Sequence, residues 1–289
     1  MIDPIFLAEA AVNGLLLGGV LALLALGLNL IFGVIDIVWI AYVDLVMLAM
    51  YAVYFLVTVY GWPVWLAGVA AVGVGALLGV AVHLLIIAPI LGSAPVNQLL
   101  ATGGLLFFIQ SFATFLWTTD HRSIRLNLPT IEVGGMFLSF ARLLAFGIAV
   151  LAMIGLYLFL RRTYIGTAIR AVSQDREAMA LMGADPRRVY LVTSAVGGAM
   201  AGLAAALLSI QYSVHPYFGA AFGPITFMIC VLGGLGNMVG AFVASFVMSE
   251  IISVGGVIWS TEMGYVIAFA LFIVLMFLRP GGILAKRER

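Results

Sequence analysis

Residues 161–188 read RRTYIGTAIRAVSQDREAMALMGADPRR, and they stand apart from everything around them. Six of the chain's 13 lysines and arginines lie here, between long apolar runs. Gly166 opens the stretch, and Ile169, Val172, Met179 and Met182 recur at helical spacing, so one or two short amphipathic helices are expected. Gly183 offers a helix stop of positive φ, and Asp185-Pro186 offers an N-cap and an N1 proline for the next long helix. A folded, charged loop of this kind suits docking to a soluble partner. The plainer reading is that its charges only anchor a loop at one membrane face.

The surroundings settle the class. Of 289 residues, 65% are hydrophobic and 9% charged, with a mean hydropathy of +1.24. Soluble domains carry roughly 25% charged residues, so the expectation is an all-α, polytopic integral membrane protein. It forms one transmembrane domain over 1–289 that includes the loop 161–188. A span needs about 20 apolar residues. Segments can be drawn near 5–32, 37–60, 62–91, 96–118, 141–160, 188–212, 222–235, 238–259 and 264–278, or about eight to nine in all. The start, MIDPIFLAEAAVNGLLLGG, has no basic region before its long apolar run and reads as a retained span.

Lysine and arginine sorting gives the orientation. Ten of the 13 lie in 161–188 or from Arg279 onward, so both regions are expected inside. Arg122, Arg125 and Arg142 border the 119–141 loop, which is then outside, as is the N-terminus with Asp3 and Glu9. Parity then demands an even number of crossings in 222–259. The piece 222–235 would rise only about 21 Å as a helix, against a core of roughly 30 Å. Two segments broken at Gly233-Gly234-Leu235-Gly236-Asn237 are expected, either as tilted spans or as a re-entrant pair. The pairs Gly14/Gly18, Gly75/Gly79, Gly198/Gly202 and Gly236/Gly240 have the spacing that lets helix backbones approach. Trp62, Trp65, Trp117 and Trp259 fall near span ends, as interfacial anchors do.

Chemistry is sparse. Cys230 is the one cysteine, and His83, His121 and His215 are too scattered for ligand spacing, so neither a metal site nor a catalytic set is expected. GxxxxGK[ST], HExxH and GxSxG are absent; if ATP powers transport, another subunit must bind it. The functional candidates are polar groups in apolar segments. An acid at a helix centre costs about 2.5–3.5 kcal/mol on insertion scales and usually faces a cavity or a partner. Asp36, Asp44 and Glu250 are such acids, set against the plainer alternatives of structural pairing or an interfacial position. Asn13, Asn29, Asn97, Gln98, Gln110 and Asn237 are cheaper and often bond across helices.

These residues also resemble a known family, the permease subunits of branched-chain amino acid ABC transporters, of the shorter type that pairs with a second, longer permease. The likeness runs over nearly the whole chain. It is carried by NGLLLGGVLALLALGLNLIFGVI near the start, by Ala101-Thr102-Gly103-Gly104 to Gln110, and by Asp120-His121-Arg122-Ser123-Ile124. It continues through Gly166-Thr167-Ala168-Ile169-Arg170-Ala171, Gln174-Asp175 and Leu181-Met182-Gly183, then Val231 to Asn237, Gly240-Ala241 and Glu250. Two departures stand out. Where the family reads N-F-A-H-G-E, this chain has Trp39, Ile40, Ala41, Tyr42, Val43 and Asp44, and the turn at Ile87–Gly92 lacks the family's arginines.

The resemblance implies a bacterial inner-membrane importer for branched-chain or hydrophobic amino acids, or for a related small polar compound. The expected partners are a second and different permease subunit, two cytoplasmic ATPases that carry ATP and Mg, and an extracytoplasmic substrate-binding protein. The chain itself would sit in the lipid bilayer, bind no cofactor, hydrolyse nothing and contact no nucleic acid. Arg170, Gln174, Asp175, Glu177 and Gly183 become candidates for coupling to the ATPase. Tyr42 and Asp44, at the positions of the family's His and Glu, join Gln110 and Asn237 as candidates for bordering the substrate route. On a regular helix residues 42 and 44 would point about 200° apart, so either the backbone is irregular there or only one faces the route. The main rival is a stand-alone secondary transporter or channel with Asp44 or Glu250 binding a coupling ion. A membrane-embedded enzyme is a poorer third.

Overall fold

The computed structural model describes residues 4–124, 126, 129–133, 136–183, 185–278 and 282, with Pro4, Val133 and Glu177 described in backbone only. The expected segments appear as α1 (Pro4–Ile35), α2 (Tyr42–Thr58), α3 (Val64–Val82), α5 (Pro95–Trp117) and α6 (Phe140–Arg162). They continue as α9 (Pro186–Ser209), α10 (Phe218–Gly233), α11 (Met238–Ile258) and α12 (Thr261–Leu278). A π turn at His83–Ile87 carries α3 into α4 (Ala88–Ile90). The basic stretch forms α7 (Tyr164–Gln174) and α8 (Arg176–Leu181). Among the described residues, seven helices are long and apolar enough to cross a membrane, and α2 and α10 are shorter apolar helices.

Helix α1 is the central column. It touches α6, α7, α9, α10 and α11, and its most apolar window is 83% buried, against 11% for the peripheral α12. Helix α9, which packs against α1, α2 and α3, is the second buried element. Because lipid is as apolar as leucine, close packing rather than hydrophobic exclusion must hold such helices together. The glycine pairs supply it. A Cβ on Gly75 would run into the Gly198 carbonyl oxygen, and one on Gly202 into that of Ala71, so the backbones of α3 and α9 lie in contact. Gly14 and Gly18 of α1 instead make room for side chains of α11, Glu250 at the first and Ser249 and Phe246 at the second. The Gly236/Gly240 pair works differently. Gly240 lies on the Gly233 carbonyl within the α10–α11 turn, while Gly236 approaches Gly33 of α1.

The connections define two ends. At one end Arg122 bridges Val214 by paired backbone hydrogen bonds of 3.0 and 2.8 Å, and its guanidinium lies over the Tyr54 and Phe55 rings. His121 stacks on His215 there at 4.4 Å. Burial, and then the neighbouring His121, hold His215 below the ordinary imidazole range, which keeps the stacked ring neutral. The same end carries the start of α1, tied by Arg142 to Asn13 at 2.7 Å and by Ser253 to the Ala10 carbonyl at 2.6 Å. Trp62, Trp65, Trp117 and Trp259 also gather there. At the other end the α10–α11 turn meets the end of α1 beside α7. Helix α10 runs toward that end from Phe218, where Gly219 lies against Asp44 near the beginning of α2. The 222–259 stretch is thus two helices, the 16-residue α10 and the 21-residue α11, joined by the turn after Gly233.

Two features depart from the sequence reading. The 119–141 loop carries a two-stranded hairpin, β1 (Thr130–Val133) against β2 (Met136–Ser139), with Thr130 opposite Ser139. The second segment starts at Tyr42, not near 37, and residues 36–41 are unwound. Asp36 takes a left-handed φ of 60° where α1 stops, which places it at a helix end, outside any span. Arg125 and the tail from Arg279 lie outside the described residues apart from Gly282.

The α3–α9 contact yields a direct test. Gly198→Ala should force the two backbones apart and cost about 1–3 kcal/mol, as overpacking does. Gly73→Ala on the same helix pair meets nothing within 4 Å and should be neutral. Thermal unfolding of the two variants in detergent should give a lowered midpoint for the first alone; equal midpoints would mean that the backbones are not in contact.

Candidate functional site

The unwound segment 36–41 lies at depth within the bundle. The Tyr42 hydroxyl donates to the Gly197 carbonyl at 3.0 Å, and Gly197 is midway along α9. Helix α2 therefore begins level with the middle of its neighbours, and 36–41 climbs to it from the end of α1. Irregular backbone at membrane depth survives only under protein cover or beside water. Both apply. Ile37, Trp39 and Ala41 are buried, and the Val38 carbonyl accepts from Thr102 Oγ1 at 3.1 Å. On the other side, Val38, Trp39 and Ile40 line a cavity of about 490 Å³.

The far wall of this cavity comes from α5 and α10: Phe107 and Gln110 from the first, Gly219, Ala220 and Pro224 from the second. Pro224 lies inside its helix and has no N–H, so the Ala220 carbonyl loses its helical partner within the lining. Asp44 sits behind this wall. It is 1% exposed, its Oδ1 accepts from Gln110 Nε2 at 3.0 Å, and its carboxylate occupies the space that a side chain on Gly219 would fill. Tyr42 and Asp44 do point apart, the first toward α9 and the second toward α5 and α10. Asp44 therefore reaches the cavity through Gln110, whose amide it orients.

Three of the four residues expected at the route thus come together. Asn237 does not join them. It caps α11, its Oδ1 accepting from Gly240 N at 3.1 Å, at the end of the bundle beside α7. Its neighbour in that turn is Asn29 of α1, fully buried, which accepts from Gly236 N at 2.8 Å and donates to the Gly234 carbonyl at 3.4 Å. Asn29 was the more informative asparagine, an amide within 32 residues of nearly unbroken apolar helix. Glu250 lies against Gly14 and Ser249 against Gly18, away from the cavity.

The basic stretch folds as a helical elbow. Thr163 caps α7 by accepting from Gly166 N at 3.0 Å, and Gly166, three residues into the helix, packs on the Leu160 backbone. Ile169 and Val172 are buried against the bundle, while Arg170, Gln174 and Asp175 are exposed. Asp175 Oδ1 accepts from Ala178 N at 2.9 Å and so caps α8, and Asp185 caps α9 by accepting from Arg187 N at 3.0 Å. Gly183 has a φ of +84° with open space around it. The amphipathic pattern fails at the tip: Met182, expected to face inward with Ile169 and Val172, is 84% exposed, and Leu181 is 89% exposed. The helix ends there, so the periodicity has no further turn to place on the bundle. The Glu177 side chain lies outside the described residues.

Comparison with known proteins gives this geometry a context. The sequence model described as "Branched-chain amino acid transport system / permease component" matches residues 10–276. The high-affinity branched-chain amino acid transport system permease protein BraD of Pseudomonas aeruginosa is 28% identical, over 97% of this chain and 96% of its own length. The corresponding permease protein LivH of Escherichia coli is 27% identical, over 98% of this chain and 97% of its own length. No solved structure matches. The chain belongs to the branched-chain amino acid transport system permease component family.

Proposed function

We propose that this chain is the shorter transmembrane permease subunit of a bacterial ABC importer for branched-chain or hydrophobic amino acids, or for a related small polar compound. The end-to-end match with BraD and LivH carries this reading, since it includes the basic elbow as well as the spans. A second, different permease subunit would complete the route, two cytoplasmic ATPases with ATP and Mg would power it, and an extracytoplasmic binding protein would deliver substrate. The chain would lie in the inner membrane with its N-terminus outside. Residues 161–188 and the tail from Arg279 would face the cytoplasm, where basic residues concentrate. Single cysteines at Ser173 and Ser123, in a Cys230→Ala background, should label from opposite sides; labelling from one side would overturn the orientation.

In this reading α7 and α8 form the element that an ATPase grips. Arg170 and Gln174 offer exposed polar contacts, Asp175 holds the elbow between the two helices, and Glu177 follows two residues later. Gly183, with the exposed Leu181 and Met182, forms the tip. Gly183→Val introduces no clash but places a β-branched residue at positive φ, a strain of about 1–3 kcal/mol. Insertion should be unaffected while ATPase capture and substrate-stimulated hydrolysis fall. Normal pull-down and normal hydrolysis would remove the loop from coupling.

The cavity beside Trp39, Tyr42 and Gln110 is the segment of the route that this chain contributes; Asn237, which does not line it, would border the route further on, at the α7 end of the bundle. Asp44→Asn preserves shape and an acceptor oxygen for Gln110 but removes the carboxylate, weakening a charge-assisted hydrogen bond to a neutral one by about 1–1.5 kcal/mol. Uptake per assembled complex in proteoliposomes should fall roughly tenfold with assembly intact. Reduced assembly with normal uptake per complex would make Asp44 a packing residue alone.

A further inference from the structure

A second cavity, of about 290 Å³, opens at the basic end between α1, α6, α7 and the start of α11. Arg161 and Arg170 both line it, and among the described residues no acidic side chain does. The Arg161 guanidinium is already oriented: it donates to the Tyr157 hydroxyl at 2.9 Å and lies 5.8 Å from that ring's centroid. Arg170 reaches the same space from α7, one helix away, and Ser173 adds a hydroxyl. Two cations held beside one cavity repel each other unless an anion enters. The remaining wall is largely apolar, with Leu30, Val34, Leu160 and Met238.

We propose that this cavity holds the phosphate of an anionic glycerophospholipid from the adjacent leaflet. The position of the arginines favours a lipid over a soluble phosphate. Arg161 is in the last turn of α6, a membrane-crossing helix, where a long basic side chain reaches the headgroup level. Tyr157, one turn deeper, is half exposed on the outer surface of the bundle, as is Val239 on the other rim. The opening therefore faces sideways along the protein as well as outward. The phosphate meets Arg161 and Arg170, and the glycerol and first methylenes meet the apolar wall. Basic pockets between spans at a cytoplasmic face bind lipid headgroups in this manner. The inference rests on the membrane placement of α6 and not on any ATPase contact.

The test uses the full-length chain in mild detergent, exposed to mixed micelles of phosphatidylglycerol and phosphatidylcholine, with retained lipid counted by native mass spectrometry. Phosphatidylglycerol should be retained in preference. Arg161→Gln and Arg170→Gln should each lower its retention about fivefold, the worth of one basic residue near an anionic surface. Arg161→Lys should recover most of it, and Arg187→Gln, which lies at a different cavity, should change nothing. Added inorganic phosphate should not displace the lipid. Equal retention by the Arg161→Gln/Arg170→Gln double variant, equal retention of both lipids, or displacement by inorganic phosphate would overturn the proposal.

Discussion

Backbone hydrogen bonding in a medium without water is the constraint on which the architecture depends. Each N–H or C=O group left unpaired in hydrocarbon costs several kcal/mol. This chain nonetheless interrupts its helices twice near α1, at residues 36–41 and at 234–237. Each interruption is anchored by a polar side chain from another element. Thr102 binds the Val38 carbonyl, and Asn29 binds both Gly234 and Gly236. The cavity beside Trp39 borders the first break and the one beside Arg161 borders the second.

The helices themselves were legible because membrane insertion leaves little choice. Long apolar runs must be helical, and the glycine pairs predict close approach since nothing larger fits between α3 and α9. Gly183 and Asp185 could be read locally, because a positive φ and an N-cap depend on neighbours within three residues. The hairpin at 130–139 could not be read in this way. It is held by cross-strand pairing outside the apolar segments, where hydropathy carries no signal. Nor could the unwinding before Tyr42 be seen, since Ile37 to Val43 is as apolar as any helix here.

The candidate site was half legible for a related reason. Asp44 and Gln110 stood out because a polar group in an apolar helix demands a partner, and they proved to be each other's partner. Sequence gives the demand but not the address. The same logic applied to Asn237 selects a residue that caps α11 by accepting from Gly240 N, three residues away, and lies apart from the other three. Met182 shows the converse error, a periodic pattern extended one step beyond the helix that would have given it meaning.

The late start of α2 bears on how the chain comes into being. The Val38 carbonyl just before it and its first residue, Tyr42, find partners on Thr102 and Gly197, which leave the ribosome 64 and 155 residues later. For that interval these two groups lack their native partners, and the 17-residue α2 has no α9 to pack against. Pairings so distant along the chain slow folding, because a long loop must close before the contact forms. The final geometry of this cavity wall is therefore among the last parts of the molecule to be assembled, after α9 and α10 have entered the membrane.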